Sequence, residues 1–285
     1  MLGLGGLGYR IRRRIARLGR GRGNGRIVAG DRLAAHRQAV IDAATRHDMI
    51  SHPDELYYAE QYLYWIEQDL VGRFPDRALR ILDLGCGQGR IALPLAQRYA
   101  PDVRVTGVDL TPAVVDAARR HARDRHLSNV VFQEADVLEF ARSRPNACAD
   151  VIVFLEVSFI LPTLRDVSRE IGRILRPGGL LFIAGRSQHY NLLQTVRARS
   201  WESARLVIDR REGYLFGGQT YFTWQTPEDL DRLLTDSGLR VLSHRGVGVC
   251  SGILGDPLAG LARPGKMSGQ ERRQLMQVEL AVAER

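Results

Sequence analysis

The chain has 285 residues, 45% of them hydrophobic, enough to bury the core of one elaborated α/β domain. No run of about 18 apolar residues occurs and no apolar stretch follows the first arginines, which argues against a membrane-spanning helix and a secretory leader, so a soluble, cytoplasmic protein is expected. The net charge of +9 is uneven: residues 1–32 hold nine arginines against the single acid Asp31, and the remainder is nearly balanced, so the body is electrostatically ordinary.

Residues 1–30 form a Gly/Arg-rich tail whose composition predicts a solvated, disordered extension. Within it Ile11, Ile15 and Leu18 share one helical face among arginines, a pattern that nucleic acid or an anionic membrane could order. Helices are expected over 31–47 and 55–74, the second carrying Leu56, Tyr57, Ala59, Tyr62, Leu63, Ile66 and Leu70 at helical spacing. From Arg80 short apolar strands alternate with helices, the signature of a parallel sheet. Strands are read at 80–84, 104–108, 130–134, 150–155, 180–184 and 240–244, with helices at about 89–99, 112–126, 163–175 and 227–237. Arg176 to Gly179, R-P-G-G, ends a helix and turns the chain into a strand. A segment over 185–225 carries His189, Tyr190, Trp201, Tyr214, Phe216, Tyr221, Phe222 and Trp224, suited to a substrate lid or to a satellite core. Ser268 to Glu271 reads as a capping box, and Leu275, Val278 and Val282 follow at helical spacing, so helix is expected over 269–284. Cys86, Cys148 and Cys250 are widely spaced with no CxxC pair, and no metal site is expected.

The chemistry gathers at strand ends. Arg80 to Leu84 runs into the turn Gly85-Cys86-Gly87-Gln88-Gly89, where bare backbone allows a ligand to approach closely. A dinucleotide fingerprint would need glycine at position 90, which is Arg90 here. Asp109 ends the next strand and can accept hydrogen bonds from both ribose hydroxyls. Asp136 ends the third and can accept one from an adenine amino group. Each acid alone could be a helix cap, but three carboxylates at successive strand ends beside a glycine turn make one constellation.

Over Leu82 to Gly246 these residues resemble the class I S-adenosylmethionine-dependent methyltransferases, whose D-x-G-C-G-x-G turn and L-R-P-G-G helix end match Asp83 to Gly89 and Leu175 to Gly179. The resemblance implies a Rossmann-like, doubly wound, mostly parallel α/β sheet of six or seven strands, with 31–285 as the catalytic domain, 31–75 its helical N-terminal cap and 185–225 a lid. It implies S-adenosyl-L-methionine as cofactor, with the glycine turn (Asp83, Gly85, Cys86, Gly87, Gly89) at the methionine portion, Asp109 with Leu110 at the ribose, and Ala135, Asp136 and Val137 around the adenine. The family's sheet ends in an antiparallel strand, which the helical reading of 269–284 leaves missing or truncated.

A methyl acceptor belongs at the end of the fourth strand, Phe154 to Pro162, where neither N-P-P-Y nor a Pro-Cys pair occurs. Glu156 and Val157 resemble the E-V-L-E-H run of small-molecule members, with Ile160 in place of the histidine. Glu156, His189 and Tyr190 are the catalytic candidates. The expected activity is methyl transfer to an oxygen or nitrogen of a small organic acceptor. The alternatives are an RNA methyltransferase that uses the arginine tail and a non-catalytic scaffold that binds the cofactor.

Overall fold

The computed structural model describes residues 29–74, 78–247 and 278–285. The basic tail with its short amphipathic stretch, Cys250 and residues 269–277 lie outside them. Two helices lead, α1 (Ala29–Arg46) and α2 (Pro53–Arg73). Strands and helices then alternate as β1 (Leu79–Leu84), α3 (Ala92–Arg98), β2 (Val103–Asp109), α4 (Pro112–Asp124), β3 (Val130–Glu134), α5 (Val137–Arg142), β4 (Ala149–Phe154), α6 (Leu164–Ile174) and β5 (Leu175–Arg186). The segment after β5 holds α7 (Gln188–Arg197), α8 (Trp201–Asp209) and the small hairpin β6 (Glu212–Tyr214) and β7 (Tyr221–Thr223). The described chain then closes with α9 (Pro227–Thr235), β8 (Arg240–Val247) and β9 (Val278–Glu284).

The main sheet has the order β3-β2-β1-β4-β5-β9-β8, parallel through β5, with β9 antiparallel to both of its neighbours. Strand order reverses beside β1, between β2 and β4, which opens a crevice at the carboxyl ends of these strands. Every residue of β4 is buried, and alternate side chains serve opposite faces. Val151 and Val153 join a cluster with Tyr62, Ile66, Leu93 and Phe182. Ile152 and Phe154 join another with Ile171, Ile174, Leu181 and Leu234.

Two expectations change. Residues 278–284 form a strand, not the predicted helix, so the antiparallel final strand is present. Leu, Ala and Glu favour helix locally, but here they fill a slot between β5 and β8 where both backbone edges are paired. Leu280 and Val282 enter one core cluster and Ala281 and Ala283 the other, all almost completely buried. Glu284 is ion-paired with Arg73 and Arg240, which fastens the strand's end to α2 and β8. The R-P-G-G turn is a bulge within β5. Leu175 pairs with Ala149 and Leu180 with Val151, so Arg176 to Gly179 loops out, held by Arg176 on the buried Asp150 at 2.6 Å.

Leu280→Ala should therefore cost about 3 kcal/mol of unfolding free energy, measured by guanidinium denaturation, because the slot is closed on both sides and collapses poorly. A loss below about 1 kcal/mol would show that β9 contributes little to the sheet.

Candidate ligand site

A cavity of about 400 Å³ opens at the carboxyl ends of β1 to β5, within the range of small-molecule sites. Its floor is the turn after β1. Gly85, Gly87 and Gly89 have φ of 78°, 53° and 87°, a left-handed geometry that side chains resist. Gly85 N–H and Cys86 N–H donate to Val108 O at 2.7 and 2.9 Å, tying the turn to β2. Asp109 completes the tie: its Oδ2 accepts from Gly87 N–H at 3.0 Å and its Oδ1 from Thr111 N–H at 2.9 Å.

Asp83 is buried beneath the turn with Arg90 and the Ala92 N–H as partners, and burial outweighs both to push its carboxyl up to about 7. Burial also raises Asp109, against its backbone hydrogen bonds, and holds Cys86 as a thiol. Asp136 caps α5, accepting from Leu138 N–H and Glu139 N–H at 2.9 and 3.3 Å, and also lines the cavity.

The chain just after β4 is strained. Glu156 has φ of 61°, a conformation that costs a non-glycine residue about 1 kcal/mol or more. Its carboxylate accepts from the fully buried Tyr62 hydroxyl at 2.5 Å on Oε1 and from Arg186 Nη2 at 3.3 Å on Oε2. Arg186, at the end of β5, lies over the Phe159 ring at 4.1 Å, and Phe159 stacks in turn on Phe222.

The roof comes from the N-terminal helices. Leu33, His36, Arg37, Val40, Ala43 and Ala44 present one face of α1 to the cavity. His36 clasps this helix to the site: its Nε2 donates to Ile160 O at 2.9 Å, and its Nδ1 accepts from Tyr221 N–H at 3.0 Å. Burial lowers its pKa, in keeping with the neutral ring that this pairing requires. The α1–α2 linker is latched to the glycine turn by Gln88, whose amide donates to His47 O at 3.0 Å and accepts from Met49 N–H at 3.1 Å. A Cβ at Gly87 would lie 2.5 Å from Met49 Sδ, so the linker's side chain packs directly on this glycine.

Of the residues singled out from the sequence, Asp83, Gly85, Cys86, Gly87, Asp109, Leu110, Asp136, Val137 and Glu156 line this one cavity. Gly89 packs under it against Leu93 and Phe132, and Ala135 hydrogen-bonds Asp109 O. His189 and Tyr190 are not among the lining residues. The aromatic segment is divided: Trp224, Phe216 and Phe222 build a satellite core with Val207 and Leu215, while Phe222 and Thr220 also reach the cavity. The sequence predicts the helix α1 but not its place in the cavity, nor those of Arg186 and Thr220. Positions 33, 36, 37, 40, 43 and 44 share one helical face, and local sequence does not state which surface receives it.

The family described as a methyltransferase domain matches residues 75–238. The chain is 37% identical over 130 residues to 27-O-demethylrifamycin SV methyltransferase of Amycolatopsis mediterranei (strain S699), covering 45% of this chain and 46% of that protein. It is 39% identical over 119 residues to a ubiquinone biosynthesis O-methyltransferase of Methylocella silvestris, covering 42% and 44%. It thus spans under half the length of these two curated relatives. Among solved structures, a SAM-dependent methyltransferase from Methanosarcina mazei superposes with a TM-score of 0.55 at 20% identity, covering 76% of this chain and 96% of that one, a likeness of fold.

The carboxyl of Asp83 binds its proton more tightly folded than unfolded, so it lowers stability as pH rises from about 4, the unfolded value, to about 7, and the loss is complete above that. The melting temperature of Asp83→Asn relative to the parent should climb across this window and level off beyond it. A difference independent of pH in thermal melts would contradict the buried-acid assignment.

Proposed function

The chain belongs to the class I S-adenosylmethionine-dependent methyltransferases, and on that footing we propose that it transfers the cofactor's methyl group to an oxygen of a small organic acceptor. The observation that carries this reading is the roofed cavity, continuous from Asp136 past the glycine turn to Glu156 and Arg186. Methyl transfer depends chiefly on alignment and exclusion of water, which such an enclosure supplies. Two relatives named for O-methylation support oxygen as the acceptor atom.

The residues fit the cofactor. The turn is bare backbone at Gly85 and Gly87, where a Cβ would run into Val157 and Met49, and the buried Asp83 and half-buried Asp109 lie on the β1 and β2 side of it. Asp109, held by backbone N–H groups and by the Thr111 hydroxyl, lines the cavity with a carboxylate of the kind that accepts from a ribose diol. Asp83 and the glycine turn would hold the methionyl portion, and Asp136 with Val137 and Leu110 the base. Once bound, the cofactor supplies an electrophilic methyl on a sulfonium.

The chain's own contribution is orientation. Glu156 stands toward the acceptor end, and with Tyr62 and Arg186 each engaging one of its oxygens, it serves to fix that end more than to carry protons away. His189 and Tyr190 act from behind this layer, Tyr190 with its ring 6.0 Å from the Arg186 guanidinium carbon. Helix α1 keeps water out.

Calorimetry with S-adenosylmethionine, S-adenosylhomocysteine and NAD tests the reading. The first two should bind and NAD should not. Asp109→Asn, which keeps the shape of the side chain, should weaken both by about tenfold or more, equivalent to about 1.4 kcal/mol. Binding of NAD in preference to the other two would overturn the assignment.

A further inference from the structure

Within that same cavity, the sheet divides the work. The glycine turn and the acids lie on β1, β2 and β3, whereas the ends of β4 and β5 and the hairpin strand β7 bound the other side. That second side is mostly apolar, with Phe159, Leu161 and Phe222 among its walls, yet it contains two buried polar atoms with no hydrogen-bond partner among the described residues: Arg186 Nη1 and Thr220 Oγ1. Arg186 is 3% exposed and Thr220 4%.

A buried guanidinium with an unmet N–H is costly, because the group has lost its water without a replacement. Glu156 satisfies Nη2 alone, and at 3.3 Å not closely. The Phe159 ring under the guanidinium fixes its plane but offers no acceptor lone pair to Nη1. Burial of this kind beside a cavity is explained when a ligand oxygen completes the set, and a charged donor binds an anionic oxygen more strongly than a neutral one. Thr220 adds a hydroxyl that can donate or accept.

We infer that Arg186, assisted by Thr220, anchors the methyl acceptor through a carboxylate or phenolate oxygen, and that the acceptor is therefore an oxyanion carried on an apolar body. The inference rests on the methyltransferase reading and narrows its substrate class. The anchored oxygen is distinct from the one methylated, since pairing with a guanidinium stabilises the oxygen's charge and weakens it as a nucleophile. Arg186 and Thr220 are specificity residues here.

The test uses the full chain saturated with S-adenosylhomocysteine, with 2-naphthoate and 2-naphthamide as probes of equal shape and different charge, titrated by calorimetry. The parent should prefer the acid by about tenfold. Arg186→Met should abolish that preference by weakening the acid, with the amide and S-adenosylhomocysteine bound as before, and Arg186→Lys should retain part of it. Thr220→Val should weaken the acid by a few-fold. If Arg186→Met fails to fold, Arg186→Gln, which keeps a neutral donor beside Glu156, replaces it and should lose the same preference for the acid. Equal binding of acid and amide by the parent, or an unchanged preference in the arginine variants, would overturn the inference. Failure of S-adenosylhomocysteine to bind at all would instead overturn the methyltransferase reading.

Discussion

The hydrogen bond from Gly87 N–H to Asp109 Oδ2 joins the sheet to the site. It can form only because β1 and β2 are parallel neighbours whose carboxyl ends lie side by side, and because Gly87 adopts a left-handed conformation that turns its N–H toward the acid. The same geometry leaves the turn's other face as bare backbone toward the cavity. Fold and binding surface are thus one arrangement: the register of two strands sets where the carboxylate stands, and the carboxylate sets the shape of the loop. The elevated proton affinities of Asp83 and Asp109 follow from the same burial, whose cost to the charged form exceeds what Arg90 returns to Asp83 and what backbone hydrogen bonds return to Asp109.

Around this centre the molecule assembles its cavity from distant parts of the chain. The floor comes from five strand ends, the roof from α1, and one wall from the hairpin after β5. Three small polar contacts hold the pieces: Gln88 grips the α1–α2 linker, His36 grips Ile160 and Tyr221, and Glu156 gathers Tyr62 and Arg186. Each joins segments remote in sequence, and each is buried or half-buried, where hydrogen bonds are hard to exchange for water.

The glycine turn, Asp109 and Asp136 could be read from the sequence because each occupies a fixed offset from an apolar strand, and strand ends at one edge of a parallel sheet are neighbours by topology. Asp136 also showed how a local and a functional role coincide, since it caps α5 and lines the cavity. The final strand could not be read that way: Leu280 to Glu284 has helix-favouring residues, and what makes it a strand is the empty slot between β5 and β8, a tertiary fact. His189 and Tyr190 are polar residues in an aromatic stretch, but the stretch folds partly into its own small core, where Trp224 and Phe216 pack. The role of α1 was illegible for a related reason. Its helical character could be read, and nothing local states which surface will receive it.

That roof lies outside the stretch shared with the methyltransferase domain family, which begins at residue 75. The roof of the cavity and its floor are therefore encoded in different stretches of the chain. Substitutions in residues 29–46 would therefore reshape the lid of this enclosure while leaving the strand ends and their acids untouched.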